Sequence, residues 1–132
     1  MNYILDACSL IAYFNQEHGA DKLEKILEQN EKKFISVINV FEVCYDLERS
    51  TESVRGMDIF TDIENLPIEI IYEFDKEHLE KAIYYKNTFK VSVADSLALG
   101  LAEKLNGVLV TSDHHEFDSI ENSGKIRFLW IR

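Results

Sequence analysis

Short apolar runs alternate with amphipathic stretches along this chain, the pattern of strands and helices layered about a parallel sheet. Tyr3-Ile4-Leu5 predicts a first strand that ends at Asp6. A short helix is expected from Ala7 to Phe14, and a stronger one from Ala20 to Gln29, where Leu23, Ile26 and Leu27 share a face. Phe34 to Val37 predicts a second strand, and Asn39 to Glu48 a helix with Val40, Val43, Cys44 and Leu47 at helical spacing. Another helix, Val54 to Asn65, is stopped by Pro67, the only proline. Ile68 to Ile71 reads as the third strand. Asp75 opens a helix to about Phe89, and Ser92 opens one to about Leu105, closed by Asn106-Gly107. Val108 to Thr111 and Phe128 to Ile131 predict the fourth and fifth strands. The dense polar segment between them, Thr111 to Asp118, predicts no element and leaves His115 and Glu116 as solvated loop residues. Neither a repeat nor a Gly/Ser linker interrupts the pattern, so residues 1–132 read as one α/β domain.

Composition narrows the class. In 132 residues, 46% are hydrophobic and only six are Gly or Pro, which excludes a disordered or fibrous chain. Against 14 Lys and Arg stand 24 Asp and Glu, a net charge of −10 that argues against a simple basic-patch DNA binder. Acidity is compatible with a metal-dependent enzyme, because hard cations take carboxylate ligands. Cys8 and Cys44 are too few for a disulfide framework and read as buried thiols in a reducing compartment. The N-terminus lacks the positive region of an export signal. The apolar stretch from Val91 to Val110 carries Asp95, Glu103 and Lys104, charges that a spanning helix excludes. A cytoplasmic protein with no membrane partner is expected.

Four acids stand out by location. Asp6 and Asp113 lie just beyond strand ends, where open parallel sheets gather ligands, although an Asp there also caps a following helix. Asp95 shares a helix face with Val91, Ala98, Leu99 and Ala102, so its carboxylate needs a partner or an ion. Ser92-Val93-Ala94-Asp95 also has capping-box spacing. Glu42 is either the third-position acid of a cap at Asn39 or an inward-facing group between Phe41 and Val43. The paired His114 and His115 invite a zinc reading, but adjacent residues rarely converge on one ion and no Cys-x-x-Cys accompanies them. Phosphate-binding glycine motifs and a G-x-S-x-G nucleophile elbow are both missing.

Three segments together resemble a PIN-domain nuclease, and specifically the VapC-type toxins of toxin–antitoxin pairs. They are Tyr3-Ile4-Leu5-Asp6-Ala7-Cys8-Ser9, then Ile35-Ser36-Val37-Ile38-Asn39-Val40-Phe41-Glu42, then Ser92-Val93-Ala94-Asp95-Ser96 running through Val110-Thr111-Ser112-Asp113. Successive acids are 36, 53 and 18 residues apart and span nearly the whole chain. Two positions depart from the family's habit. Cys8 stands where Asn or Ser is frequent, and His115 where a further acid often follows.

The resemblance implies a single PIN-like domain with a mostly parallel sheet of four to five strands flanked by helices. It also implies a metal-dependent endoribonuclease, the toxin of a type II toxin–antitoxin pair. Asp6, Asp95 and Asp113 would hold Mg²⁺ or Mn²⁺, with Glu42 joining directly or through water. Hydrolysis by activated water would leave a 5′-phosphate. The implied partners are an RNA substrate, a small antitoxin protein and a second copy of the chain in a homodimer. Two competing functions follow from the residues themselves: a non-catalytic PIN-like binding module whose acids are structural, and a receiver-like phosphoacceptor using Asp6. The latter lacks the paired acids and the later lysine that such chemistry uses.

Overall fold

The computed structural model describes residues 1–132 as five parallel strands and seven helices. The strands are β1 (Asn2–Leu5), β2 (Lys32–Ser36), β3 (Glu69–Ile71), β4 (Val108–Thr111) and β5 (Arg127–Trp130). The helices are α1 (Ala7–Phe14), α2 (Ala20–Glu28), α3 (Val37–Ser50), α4 (Gly56–Glu64), α5 (Lys76–Phe89), α6 (Val93–Lys104) and α7 (His114–Ser123). Strand order is β3-β2-β1-β4-β5, with every neighbouring pair parallel.

Alternation along the central strands builds two cores. Tyr3 and Leu5 of β1, with Val108 and Val110 of β4, pack on one face against Leu10, Leu23, Val40, Val43 and Ile63 from α1 to α4. Ile4 and Leu109 point to the other face, against Tyr85, Leu99, Phe117 and Ile120 from α5, α6 and α7. All four residues of β4 are buried, as expected of a central strand covered on both sides. Gly107 makes its approach possible: a Cβ there would collide with the Ile4 side chain and meet the Asn2 carbonyl oxygen at 2.8 Å.

The chain runs outward from β1 to β2 and β3, then returns across to β4 and β5. The order therefore reverses between β1 and β4. In open α/β sheets that reversal leaves a crevice at the strands' carboxyl ends. Asp6 follows β1 and Asp113 follows β4, so the two acids flank it.

Three sequence expectations are corrected. The polar segment after β4 is not all loop, because Asp113 caps α7, whose Phe117 and Ile120 enter the core and whose end is Gly124 at φ 75°. Helix α3 begins two residues before the expected Asn39, capped by the Ser36 hydroxyl, which accepts from the Ile38 and Asn39 amides. Strand β2 begins earlier, at Lys32. Its Lys33 is buried and donates its ammonium to the Leu27 and Gln29 carbonyls, a use that hydropathy does not signal.

Candidate active site

Helices α1 and α7 are capped by Asp6 and Asp113, and α6 carries Asp95 in its first turn. Asp6 is the N-cap of α1. One carboxylate oxygen accepts from the Ser9 amide at 2.9 Å, and the other accepts the Thr111 hydroxyl proton from β4. Ser9 closes the turn by donating its hydroxyl to the Asp6 carbonyl at 2.9 Å. Thr111 in turn accepts from the Asp113 amide at 3.1 Å, so one threonine links the acids at the ends of β1 and β4. Asp113 caps α7 by accepting from the Glu116 amide at 3.2 Å. Asp95 lies in the first turn of α6, its amide donating to the Ser92 hydroxyl at 3.1 Å. The capping roles of Asp6 and Asp113 are therefore real: Asp6 is buried with both carboxylate oxygens accepting hydrogen bonds, while Asp113 is half-buried and lines a groove.

Glu42 lies in the second turn of α3, too far from Ser36 to act as a capping-box acid. Asn39, one turn earlier, is buried and donates its side-chain amide to the Ala94 carbonyl at 3.1 Å. This hydrogen bond ties the helix of Glu42 to that of Asp95. The Asn39 Oδ1 atom is buried without a protein partner. The sequence pattern marks Asn39 only as a cap; the tie joins residues 55 apart, beyond the reach of local spacing.

Electrostatics draws the acids into one set. Burial lifts the Asp6 carboxyl to about 7, aided by the charge of Asp95 and opposed by its hydrogen bonds from Thr111 and Ser9. Burial also lifts Asp95 to about 6, against the Ser92 hydroxyl, with Asp113, Glu42 and Glu116 each pushing the same way. Glu42 is raised by burial and by Asp46 and Asp113. Half-buried Cys8, on α1, has its thiol pushed up by burial and by the charges of Asp6, Asp113, Asp95 and Glu42. It remains a neutral thiol amid the acids, not the fully buried group expected. Glu116, expected to be solvated, is half-buried and acts on Asp95. Its signal was Asp113-x-x-Glu116, a capping spacing hidden among polar residues.

No lysine or arginine forms an ion pair with any of the four acids. Side-chain oxygens at the mouth of a crevice, repelling one another and unneutralised by protein, form a donor set that suits a hard divalent cation. The unpartnered Asn39 oxygen fits the same preference. The acids interact through space without closing on one point, since no three His, Cys, Asp or Glu side chains converge tightly enough to grip an ion as they stand. Cys8, Ser112 and Asp113 line a groove of about 320 Å³ with Ile11, Glu17 and Arg132.

The fold is shared with solved toxin–antitoxin proteins. It superposes on a chain of a toxin–antitoxin complex from Klebsiella pneumoniae with a TM-score of 0.76 at 16% identity, covering 98% of each chain. VapBC-1 from nontypeable Haemophilus influenzae gives 0.72 at 21% identity, covering 99% of this chain and 98% of that one. VapC20 of Mycobacterium tuberculosis, described as a sarcin–ricin loop cleaving toxin, gives 0.72 at 14% identity over 89% and 94%. No curated protein matches the sequence. The PIN domain family matches residues 3–122, a span that carries Asp6, Glu42, Asp95 and Asp113 together, and the chain belongs to that family.

Proposed function

We propose that this protein is a metal-dependent endoribonuclease acting in the cytoplasm as the toxin of a toxin–antitoxin pair. One observation carries the reading: four carboxylates from four separate segments lie around the sheet's switch point with no protein cation paired to any of them, and burial together with neighbouring acids raises the pKa of Asp6, Glu42 and Asp95. Mg²⁺ or Mn²⁺ bound there would offset the charge of a phosphodiester and acidify water for attack. Asp6, Asp95 and Asp113 are the proposed ligands, with Glu42 acting directly or through water. Thr111 and Ser9 fix the orientation of the Asp6 carboxylate, while Ser92 and the Asn39 tie hold α6 and α3 in register. Glu42, half-exposed, orients the attacking water, and cleavage leaves a 5′-phosphate.

A small antitoxin and a second copy of the chain are the proposed partners. Ile38, Tyr72, Phe74 and Val93 are exposed around an apolar groove of about 320 Å³, a surface that supports association. The capping bonds of Asp6 and Asp113 favour a second reading, a non-catalytic binding module with structural acids.

Asp95→Asn separates the two. Asn preserves volume and the Ser92 cap, so the structural reading expects unchanged behaviour. The nuclease reading expects loss of at least 100-fold in cleavage of mixed structured RNAs in Mn²⁺, with the fold intact, on the order of what one lost transition-state contact costs. Wild-type cleavage by the variant, or no rise in the wild-type melting temperature between EDTA and millimolar Mn²⁺, refutes the metal site.

A further inference from the structure

The acids supply chemistry but repel the substrate, and two divalent ions would bring the net charge of −10 only to −6. Outside the crevice, the C-terminal end of α5 carries a groove of about 450 Å³ lined by Ile83, Lys86, Asn87 and Lys90. None of these residues is acidic, and neither lysine forms an ion pair. Lys81, Lys104 and Lys125, by contrast, are engaged by Glu103 or Asp75. Lys86 lies in the last turn of α5 and Lys90 is its C-cap, and both line this groove. The Lys86 ammonium donates to the Val91 carbonyl at 2.8 Å, which holds it against the segment entering α6. Asp95 is only five residues beyond Lys90, so their Cα atoms lie at most about 18 Å apart.

The backbone of Lys90 points the same way. It closes α5 in the left-handed region at φ 59°, where α7 uses Gly124 at φ 75°. Glycine adopts that conformation freely and lysine does not. A cation at the C-terminal end of α5 is favoured by the helix dipole, yet Lys86 already fills that role in the last turn. Lys90 therefore sits at a position where a helix cap alone would be better made by glycine.

We propose that Lys86 and Lys90, with the Asn87 amide between them, form a phosphate-binding track that holds the RNA backbone alongside the acidic crevice. This rests on the ribonuclease reading and names how its substrate is held.

The experiment compares wild type, K86Q, K90G, the double variant and K25Q, a control on exposed α2, using a 5′-fluorescein single-stranded RNA. Anisotropy is read at several salt concentrations, beside KM and kcat in Mn²⁺ and melting curves. The double variant is expected to raise Kd and KM about tenfold and leave kcat unchanged. Its slope of log affinity against log salt should flatten by about 1.4, near 0.7 per lost phosphate contact on a single strand. K90G should melt at or above wild type, with its Mn²⁺ response intact, so weakened RNA binding cannot be blamed on folding. Unchanged affinity and slope in the double variant, or an equal loss in K25Q, overturns the proposal. Should wild type leave RNA uncut, the nuclease reading falls and anisotropy alone decides the track. RNA binding that the double variant weakens keeps it; RNA binding absent or unaltered overturns it.

Discussion

At the scale of single residues, the carboxyl of Asp6 concentrates opposing forces. Two hydrogen bonds favour its ionised form, but burial and Asp95 outweigh them and raise it from the ordinary 3.8 to about 7. An acid with a raised native pKa binds its proton more tightly folded than unfolded, so its contribution to stability falls as pH rises between those two values. The metal-free protein should therefore melt at higher temperature at pH 5 than at pH 8, with Asp95, raised to about 6, adding to the trend. Asp75 works oppositely: Lys104 holds it low, so its contribution is lost only as pH falls below the ordinary carboxylate range. Asp6→Asn removes the largest titrating group and should flatten the pH 5 to 8 dependence, while saturating Mn²⁺, which favours the ionised carboxylates, should reduce it in wild type. Calorimetry in EDTA and in Mn²⁺ measures both. A metal-free melting temperature that climbs from pH 5 to pH 8 would contradict this account. Asp6, Asp95 and Asp113 were legible in the sequence because strand ends and helix starts mark such positions, whereas Glu42 was singled out by an expected cap at Asn39 that the structure moves to Ser36. Glu116 and the tie made by Asn39 were not legible. The first lies in a polar run with no visible helix period, and the second bonds to a carbonyl that is remote in sequence.

Among the elements, α6 connects sequence to site most directly. Its start at Ser92 and its stop at Asn106-Gly107 were readable because capping and glycine stops are local chemistry. Ala98, Leu99, Leu101 and Ala102 are all buried, so the apolar face also announced itself. Helix α7 was not readable, since only Phe117 and Ile120 of its ten residues are buried and its N-terminal acids resembled a loop. The sheet order also lay beyond local pattern, because pairing β1 with β4 joins segments more than a hundred residues apart. Ser92→Ala tests how the cap of α6 serves the site. Loss of the hydroxyl leaves the Asp95 amide unpaired and should cost about 1 kcal/mol in urea denaturation. Cleavage should fall less than in Asp95→Asn, because the carboxylate survives on a less firmly anchored turn. Equal loss of activity in the two variants would mean that Ser92 itself takes part in the chemistry.

For the whole molecule, the distribution of apolar surface matters more than its amount. None of the helices is long and apolar enough to cross a membrane, and an exposed apolar patch lies at the carboxyl ends of β2 and β3. Tyr72 is 60% exposed and Val93 58%, and Phe74 packs edge-on at 4.8 Å against His78. His78 itself is buried at the groove and donates Nε2–H to the Leu97 carbonyl at 2.8 Å, leaving Nδ1 with no protein partner. An exposed apolar groove is poorly matched to water and well matched to another protein surface. If a second copy covers it, the chain should run as a dimer of about twice 15.3 kDa. Tyr72→Asp is the discriminating variant. Its exposure means a charge there is hydrated and harmless in the monomer, whereas in a dimer the same charge is buried beside its symmetry mate and opposes association. Light scattering across a concentration series should show wild type dimeric and the variant shifted toward monomer, with melting of the dilute proteins unchanged. Wild type holding at 15.3 kDa at high concentration would leave this face to the proposed antitoxin and remove the second copy from the proposal.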